Sequence, residues 1–142
     1  MTSVRVVLDS NILVAGLRSR RGASYRLLSL VGEGHFTTVV SVPLVVEYEH
    51  ALLDVSHGLS YQQGEIHHFI DYFCSVSERR KVHFLWRPYL PDRNDDMVLE
   101  AAVAGRCQHI VTFNIRDFVG VERFGIRVLP PAEFLTILGA IK

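Results

Sequence analysis

Short apolar runs alternate with longer stretches of helical spacing along the chain, and this alternation predicts an α/β fold. Runs of apolar and β-branched residues predict buried strands at 4–8, 36–40, 109–113 and 126–129, with a weaker candidate at 81–86. Apolar residues that recur every three or four positions predict helices at 12–17, 25–31, 44–55, 60–74, 94–104 and 132–141. Strands separated by helices favour an open parallel sheet of four or five strands with helices on both faces.

Small polar residues indicate where three of these helices begin. Ser10 and Asn11 can cap the first helix, and Ser24 can cap the second. Ser41, followed by Pro43, marks the start of the third, because proline is tolerated in the first turn of a helix.

The length and composition are those of a single globular domain. The chain has 142 residues, of which 49% are hydrophobic, so we expect one domain over 1–142 with a substantial core. No apolar run approaches the roughly 20 residues needed to cross a bilayer, and the N-terminus lacks the layout of a signal peptide. Two cysteines without metal spacing suggest reduced thiols, so we expect a cytoplasmic protein.

The formal net charge is zero, but arginine carries nearly all of the positive charge. Arginines cluster at Arg18, Arg20 and Arg21, and again at Arg79 and Arg80 beside a lysine. A guanidinium fork binds phosphate through two hydrogen bonds, so the clusters could hold a nucleic-acid backbone. A solvated surface explains each cluster equally well.

Acidic residues follow the predicted strands. Asp9 comes directly after the first strand, Glu47 lies in the helix after the second, and Asp117 follows the strand at 109–113. The pair Asp95 and Asp96 opens the helix that leads to that strand. Because the carboxyl ends of parallel strands form one edge of a sheet, we expect these side chains to converge there.

Each acid alone has an ordinary structural explanation, as a helix cap, a turn cap or a surface charge. Their joint placement is harder to explain in that way, because like charges gathered at a sheet edge repel one another. A divalent ion is the usual counter-charge for such a cluster. Carboxylates without Cys or His partners suit Mg²⁺ or Mn²⁺.

Four segments, in order along the chain, resemble one known family. They are DSN at 9–11, the glutamate in SVPLVVEYEHAL, DRNDDMVLEAAVAG and IVTFNIRDF, followed by a closing PPAEFL segment. Together they resemble the PIN domain, and most closely the branch of toxins from toxin–antitoxin systems related to VapC-like ribonucleases. The resemblance implies a PIN-like, Rossmann-like sheet and a metal-dependent ribonuclease. It also implies a homodimer and, for a toxin, a cognate antitoxin protein.

The resemblance also implies roles for individual residues. Catalytic and metal-binding roles carry over to four acids, Asp9, Glu47, Asp96 and Asp117, with Asp95 open as an alternative to Asp96. Roles in orienting ligands or substrate carry over to small polar residues at Ser10, Asn11, Ser41, Thr112 and Asn114. Many members have aspartate where Asn114 stands, so this sequence departs from the pattern there. Asp117 is the candidate that supplies the missing charge, and the departure puts a second metal ion in question.

For these acids the resemblance implies hydrolysis of an RNA phosphodiester, with Mg²⁺ or Mn²⁺ activating water for the attack. The alternative is a catalytically degenerate PIN-like module that binds RNA or a protein partner. Other classes with an aspartate after the first strand fit poorly. A phosphate-receiver domain needs a lysine after a late strand, which this chain lacks, and a haloacid-type phosphatase needs an acid where Asn11 stands. A dinucleotide enzyme needs a glycine-rich first turn, which is also missing here.

Apolar stripes on two predicted helices suggest a binding surface. Helices 25–31 and 60–74 carry such stripes, the second formed by Ile66, Phe69, Ile70 and Phe73. We expect that a chain this small does not bury both stripes entirely. A homodimer or a groove for an antitoxin would then cover the exposed part.

Overall fold

One parallel sheet organises the structure. The computed structural model describes residues 4–59, 61–82 and 90–141. Within these ranges the strands are β1 (Arg5–Leu8), β2 (Thr37–Val40), β3 (Glu78–Arg79), β4 (His109–Val111) and β5 (Arg127–Leu129). Their order across the sheet is β3-β2-β1-β4-β5, and every pair is parallel. The predicted fold class is confirmed, with β1 at the centre of the sheet.

Helices connect the strands. They are α1 (Ser10–Arg18), α2 (Ala23–Ser29), α3 (Val42–Asp54), α4 (Gln63–Val76), α5 (Arg93–Ala104) and α6 (Pro131–Ile141). Short 3-10 helices occupy Ser56–Gly58, Ile115–Phe118 and Val121–Phe124. No helix of the described ranges is long and apolar enough to span a membrane.

Most predicted elements are found within a few residues of their expected bounds, and the strand at 81–86 is the exception. Residues 81 and 82 have no regular structure, and 83–86 lie outside the described residues. The strand observed in this region is β3, which is only two residues long and pairs with the end of β2. The Arg5 guanidinium binds the Glu78 carboxylate and so joins β1 to β3 across β2.

Two predicted helix caps are wrong by one or two positions. Asp9, not Ser10 or Asn11, caps α1, since its backbone is extended and its carboxylate accepts the Ser10 N–H. Gly22 occupies the cap position of α2, so Ser24 lies inside the first turn of the helix, where it is buried. The predicted cap at Ser41 is confirmed, because its hydroxyl accepts the Leu44 N–H at 3.3 Å.

The central strand is anchored to α3. Val6, Val7 and Leu8 are fully buried, and the buried Tyr48 hydroxyl of α3 donates a hydrogen bond to the Leu8 carbonyl. A buried hydroxyl needs such a partner, so this bond fixes the distance between α3 and the end of β1. Asp9 is the next residue along the chain.

The apolar stripe of α4 is largely covered by the protein itself. Ile66, Ile70 and Phe73 are buried in the core, and Phe69 is half-buried against Phe73. The stripe therefore gives little support to the expected homodimer or antitoxin groove. Large apolar side chains of the described residues are instead exposed at Val42, Val46, Tyr72, Phe113, Ile115, Val119 and Phe124.

The fold predicts opposite effects for alanine at two glycines. A Cβ at Gly105, just after α5, would lie 2.5 Å from Cγ1 of the buried Val39, whose side chain is stiff. We expect Gly105→Ala to lower the free energy of unfolding by about 1–3 kcal/mol. Gly139→Ala, in α6 with open space around the new Cβ, should raise it by about 0.5–1 kcal/mol. Urea unfolding measures both, and equal small effects would contradict the close approach of α5 to β2.

Candidate functional site

Asp9 lies at the carboxyl end of β1 and joins it to the end of β4. The Thr112 hydroxyl donates to Asp9 Oδ2 at 2.8 Å, and the Ser10 N–H donates to Asp9 Oδ1 at 2.7 Å. The Asp9 N–H donates to the Val111 carbonyl at 3.0 Å. The carboxylate is thus buried but hydrogen-bonded through both of its oxygens.

The predicted orienting residues Asn11, Thr112 and Asn114 surround this carboxylate. The Asn11 amide donates to the Thr112 hydroxyl at 3.3 Å and lies 3.5 Å from Asp9 Oδ2. The Asn114 N–H donates to the same hydroxyl at 3.0 Å. Ser41 has another role among these contacts, since it caps α3, the helix that carries Glu47.

Glu47 reaches the same edge from α3. Its Oε2 lies 3.4 Å from the Ser10 hydroxyl, which donates to it, and the side chain is half-buried. Glu49 lies elsewhere, with Oε2 3.7 Å from Nδ1 of His67 on α4. Of these two acids of α3, only Glu47 therefore lies at the edge that holds Asp9.

The first turn of α5 brings three acids, which differ in their hydrogen bonds. Asp92 caps the helix by accepting the Asn94 N–H at 2.9 Å. Asp96 is buried and accepts the Leu90 N–H at 2.9 Å. Asp95 is also buried, and its Oδ2 has no hydrogen-bond partner among the described residues.

Electrostatics show that these acids form one cluster. Burial raises the pKa of Asp95 to about 7, and repulsion from Asp9, Asp92, Asp117 and Asp96 adds to this. Burial also raises the pKa of Asp9, although its hydrogen bonds from Thr112 and Ser10 oppose the shift.

Burial likewise raises the pKa of Glu47, and repulsion from Asp9 and Asp92 contributes to the shift. Asp117 is exposed in the 3-10 helix after β4 and joins the cluster through its repulsion of Asp95. Asp95 is therefore repelled by three of the predicted acids, Asp9, Asp96 and Asp117, and the fourth, Glu47, is repelled by Asp9.

The donor set fits a hard divalent cation. All the clustered side chains offer carboxylate oxygens, the ligands that Mg²⁺ and Mn²⁺ prefer. The buried, unpartnered Asp95 Oδ2 is an oxygen that such an ion could satisfy. As they stand, no three His, Cys, Asp or Glu side chains of the described residues form a ready metal-binding group.

A groove of about 630 Å³ extends from the acids between α1 and α3. Ser10, Asn11 and Glu47 line one part of it, and Arg18 from the first arginine cluster lines another. The second cluster is not at this site, because Arg80 pairs with Glu78 at the edge strand β3.

Two residues at the site had no role assigned to them from the sequence. Asp92 repels Asp9, Glu47 and Asp95, and its place directly before the acid-bearing helix was the available signal. Phe113 lies between Thr112 and Asn114, lines the groove and is 50% exposed. The predicted strand at 109–113 implied a buried ring, but β4 ends at Val111.

Comparison with known proteins places this geometry in a family. The model of the PIN domain family matches residues 5–116. No match is found among curated protein sequences. Members of this family are generally nucleases and typically use divalent metal ions.

Two solved structures have a similar fold at low sequence identity. One is VapBC2 from Rickettsia felis, which was solved bound to a DNA fragment from its promoter. It has a TM-score of 0.58 and 19% sequence identity, and the match covers 89% of this chain and 97% of that one. The other is PAE2754 from Pyrobaculum aerophilum, with a TM-score of 0.63, 12% identity and coverage of 96% of this chain and 90% of that one. With a family match over most of its length and the fold of these structures, the chain belongs to the PIN domain family.

Proposed function

We propose that this chain is an Mg²⁺- or Mn²⁺-dependent endoribonuclease, the toxin of a toxin–antitoxin system. One observation carries the catalytic part of the proposal. One oxygen of the buried Asp95 carboxylate, Oδ2, has no hydrogen-bond partner among the described residues, and Asp95 stands among other acids at the carboxyl edge of the sheet. A fold that keeps such repulsion at its ligand-binding edge is best explained by a cation that offsets it.

The proposed metal ligands are Asp9, Glu47, Asp96 and Asp117, and we propose Asp95, the alternative to Asp96, as a further ligand. Asp95 offers an oxygen with no other partner, whereas one oxygen of Asp96 already accepts the Leu90 N–H. Asn11 and Thr112 hold the Asp9 carboxylate in place, and Asn114 holds the Thr112 hydroxyl through its backbone N–H. Ser41 acts at longer range, by capping the helix that carries Glu47.

The chemistry follows from this donor set. A bound divalent ion would lower the pKa of a water molecule and stabilise negative charge on the phosphate oxygens. The chain's own carboxylates would orient that water, and the buried hydrogen bonds of Asp9 would keep its oxygens from turning away. Arg18 in the adjoining groove would bind a phosphate of the same strand.

A toxin role is supported by the sequence motifs and by the fold shared with VapBC2. We therefore propose a cognate antitoxin protein, a homodimer and a location in the cytoplasm. The exposed apolar residues Val42 and Val46 on α3 are available for such contacts. The second candidate, a module that binds RNA or a protein partner without cutting RNA, is favoured by Asn114, which stands where many members carry an acid.

Metal ions are expected to stabilise the fold. Binding linkage adds about 2.7 kcal/mol at an ion concentration about 100 times the Kd. We expect Asp95→Asn to raise the metal-free melting temperature, by removing repulsion, and to reduce the gain from metal. Asp96→Asn should also reduce the gain, but without raising the metal-free value, because the Leu90 N–H loses a charged acceptor. Thermal melts with Mn²⁺ and with a chelator measure this, and an undiminished gain in both variants would contradict the assignment.

The pH dependence of stability has a defined sign. The unfolded chain releases the Asp95 proton near its ordinary pKa of 3.8, whereas the folded chain keeps it up to about 7. Because the folded state binds more protons in this window, the free energy of unfolding should fall as pH rises from about 4 to 7. The raised pKa values of Asp9 and Glu47 act in the same direction. Between pH 4 and 7, chelator-treated wild type should lose more stability than Asp95→Asn. Equal losses would show that the Asp95 carboxyl is not the source of the pH dependence.

Cleavage should depend on the charge of Asp9 and not on its role as a cap. Asn is also a good helix cap, so Asp9→Asn should fold normally yet reduce metal-dependent RNA cleavage to background. Asp9→Ala should in addition lose about 0.5–2 kcal/mol of stability. Glu49→Gln is the matched control, an acid on α3 that lies away from the cluster and should cleave like wild type. Full cleavage by Asp9→Asn would reject the mechanism, and no cleavage by folded, metal-loaded wild type would favour the non-catalytic module.

A further inference from the structure

A second cavity adjoins the acid groove, and Phe113 separates the two. It has a volume of about 310 Å³ and is lined by Ala15, Ser24, Phe113, Pro130 and Pro131 among others. Ala15 and Phe113 line both cavities. Small-molecule sites commonly occupy roughly 300–1,000 Å³, so this cavity is large enough to hold one planar ring system.

The lining of this cavity excludes several kinds of occupant. None of the described residues around it carries a charge, in contrast to the acid groove with Glu47, Arg18 and Asp54. A phosphate or a charged peptide side chain would lose its water there without gaining an opposite charge. An uncharged ring that is flat, and polar only at its rim, suits the apolar walls.

Phe113 is placed to stack on such a ring. Its side chain is 50% exposed, and it directly follows Thr112, whose hydroxyl binds Asp9. The Phe113 N–H lies 3.5 Å from the Asn11 side-chain oxygen, to which it donates. The ring is thus joined through the backbone to the group that positions the central carboxylate. Aromatic side chains that border charged grooves are the usual stacking platforms for single-stranded nucleic acid.

Ser24 supplies a polar group that the fold itself does not use. Its side chain is only 3% exposed, and its hydroxyl has no hydrogen-bond partner among the described residues. Gly22 occupies the cap position of α2, so Ser24 does not serve as a cap. A buried serine hydroxyl normally has a partner, and it can both donate and accept. Ser24 lines the cavity, so rotation of its side chain about the Cα–Cβ bond would present the hydroxyl to either type of polar atom at the edge of a base.

We propose that this cavity binds one unpaired nucleobase of the RNA strand whose phosphate lies at the acid cluster. Phe113 stacks on the base, Pro130 and Pro131 contribute to the apolar walls, and the Ser24 hydroxyl binds its edge. Bases of single-stranded RNA are recognised in this way, by stacking and by hydrogen bonds to their edges. The inference rests on the proposed ribonuclease function and adds to it a site that would select the base next to the cut.

The test uses short single-stranded RNAs that carry one 2-aminopurine, at a different position in each RNA. A chelator is present so that nothing is cleaved, and anisotropy of an end label gives the Kd. For wild type we expect severalfold quenching of 2-aminopurine at one position only. Phe113→Ala should abolish this quenching and weaken binding about tenfold, since base stacking on an aromatic contributes about 1–3 kcal/mol. Phe113→Tyr, which keeps the ring, should behave like wild type.

Two further variants sharpen the comparison. Tyr72→Ala removes an aromatic that is equally exposed, at 51%, on α4, and it should leave both the quenching and the Kd unchanged. Ser24→Ala should keep the quenching but reduce the preference for one base over the others at that position. Thermal melts confirm that each variant is folded before it is compared.

The outcomes separate this inference from the function on which it rests. If wild type binds RNA but Phe113→Ala binds it equally well, with no position quenched, the base site is rejected and the ribonuclease proposal stands. If wild type neither cleaves nor binds RNA, both the base site and the ribonuclease proposal are rejected. Position-specific quenching that requires the Phe113 ring, together with a base preference that requires Ser24, supports the site.

Discussion

The hydrogen bond from the Thr112 hydroxyl to Asp9 is the interaction on which the site depends. It joins the carboxyl ends of the neighbouring strands β1 and β4 through their side chains. At the same place the backbones are joined by the hydrogen bond from the Asp9 N–H to the Val111 carbonyl. Together with the Ser10 N–H, the Thr112 hydroxyl opposes the rise in the Asp9 pKa that burial causes. Without these donors, a carboxylate at this depth would hold its proton more strongly and bind a cation less well.

Packing and hydrogen bonds elsewhere in the sheet offset the electrostatic repulsion among the acids at its carboxyl edge. Val6, Val7 and Leu8 of β1 are buried, the Tyr48 hydroxyl fixes α3 to the last carbonyl of β1, and Gly105 allows α5 to lie directly against Val39. These contacts hold acids from α3 and α5 near Asp9 although their charges repel. Departures from local stability of this kind are expected at functional sites. This pattern supports our proposal that the repulsion is the metal-free side of an ion-binding equilibrium.

The sequence predicts the sheet and the edge where the acids converge, but not how each acid is used. Apolar periodicity identifies strands and helices, yet a helix advances about 100° per residue. The one-residue uncertainty in a helix start therefore cannot separate Asp95 from Asp96. The structure distinguishes them, because the N–H of Leu90, which lies before α5, donates to Asp96 and not to Asp95. β3 escaped prediction because two residues carry no periodicity, and its place depends on pairing with β2.

Thr112 and Phe113 show how one piece of backbone serves both proposed sites. The Thr112 N–H donates to the Leu129 carbonyl at 3.1 Å, so the chain continues the β4–β5 ladder to this residue. Successive side chains of an extended chain point to opposite sides. Turning Thr112 inward to bind Asp9 therefore turns Phe113 outward, between the acid groove and the uncharged cavity. The geometry that orients the Asp9 carboxylate, our proposed metal ligand, thus also exposes the ring that we propose stacks on the base, so a substitution at Thr112 should also affect the position of Phe113.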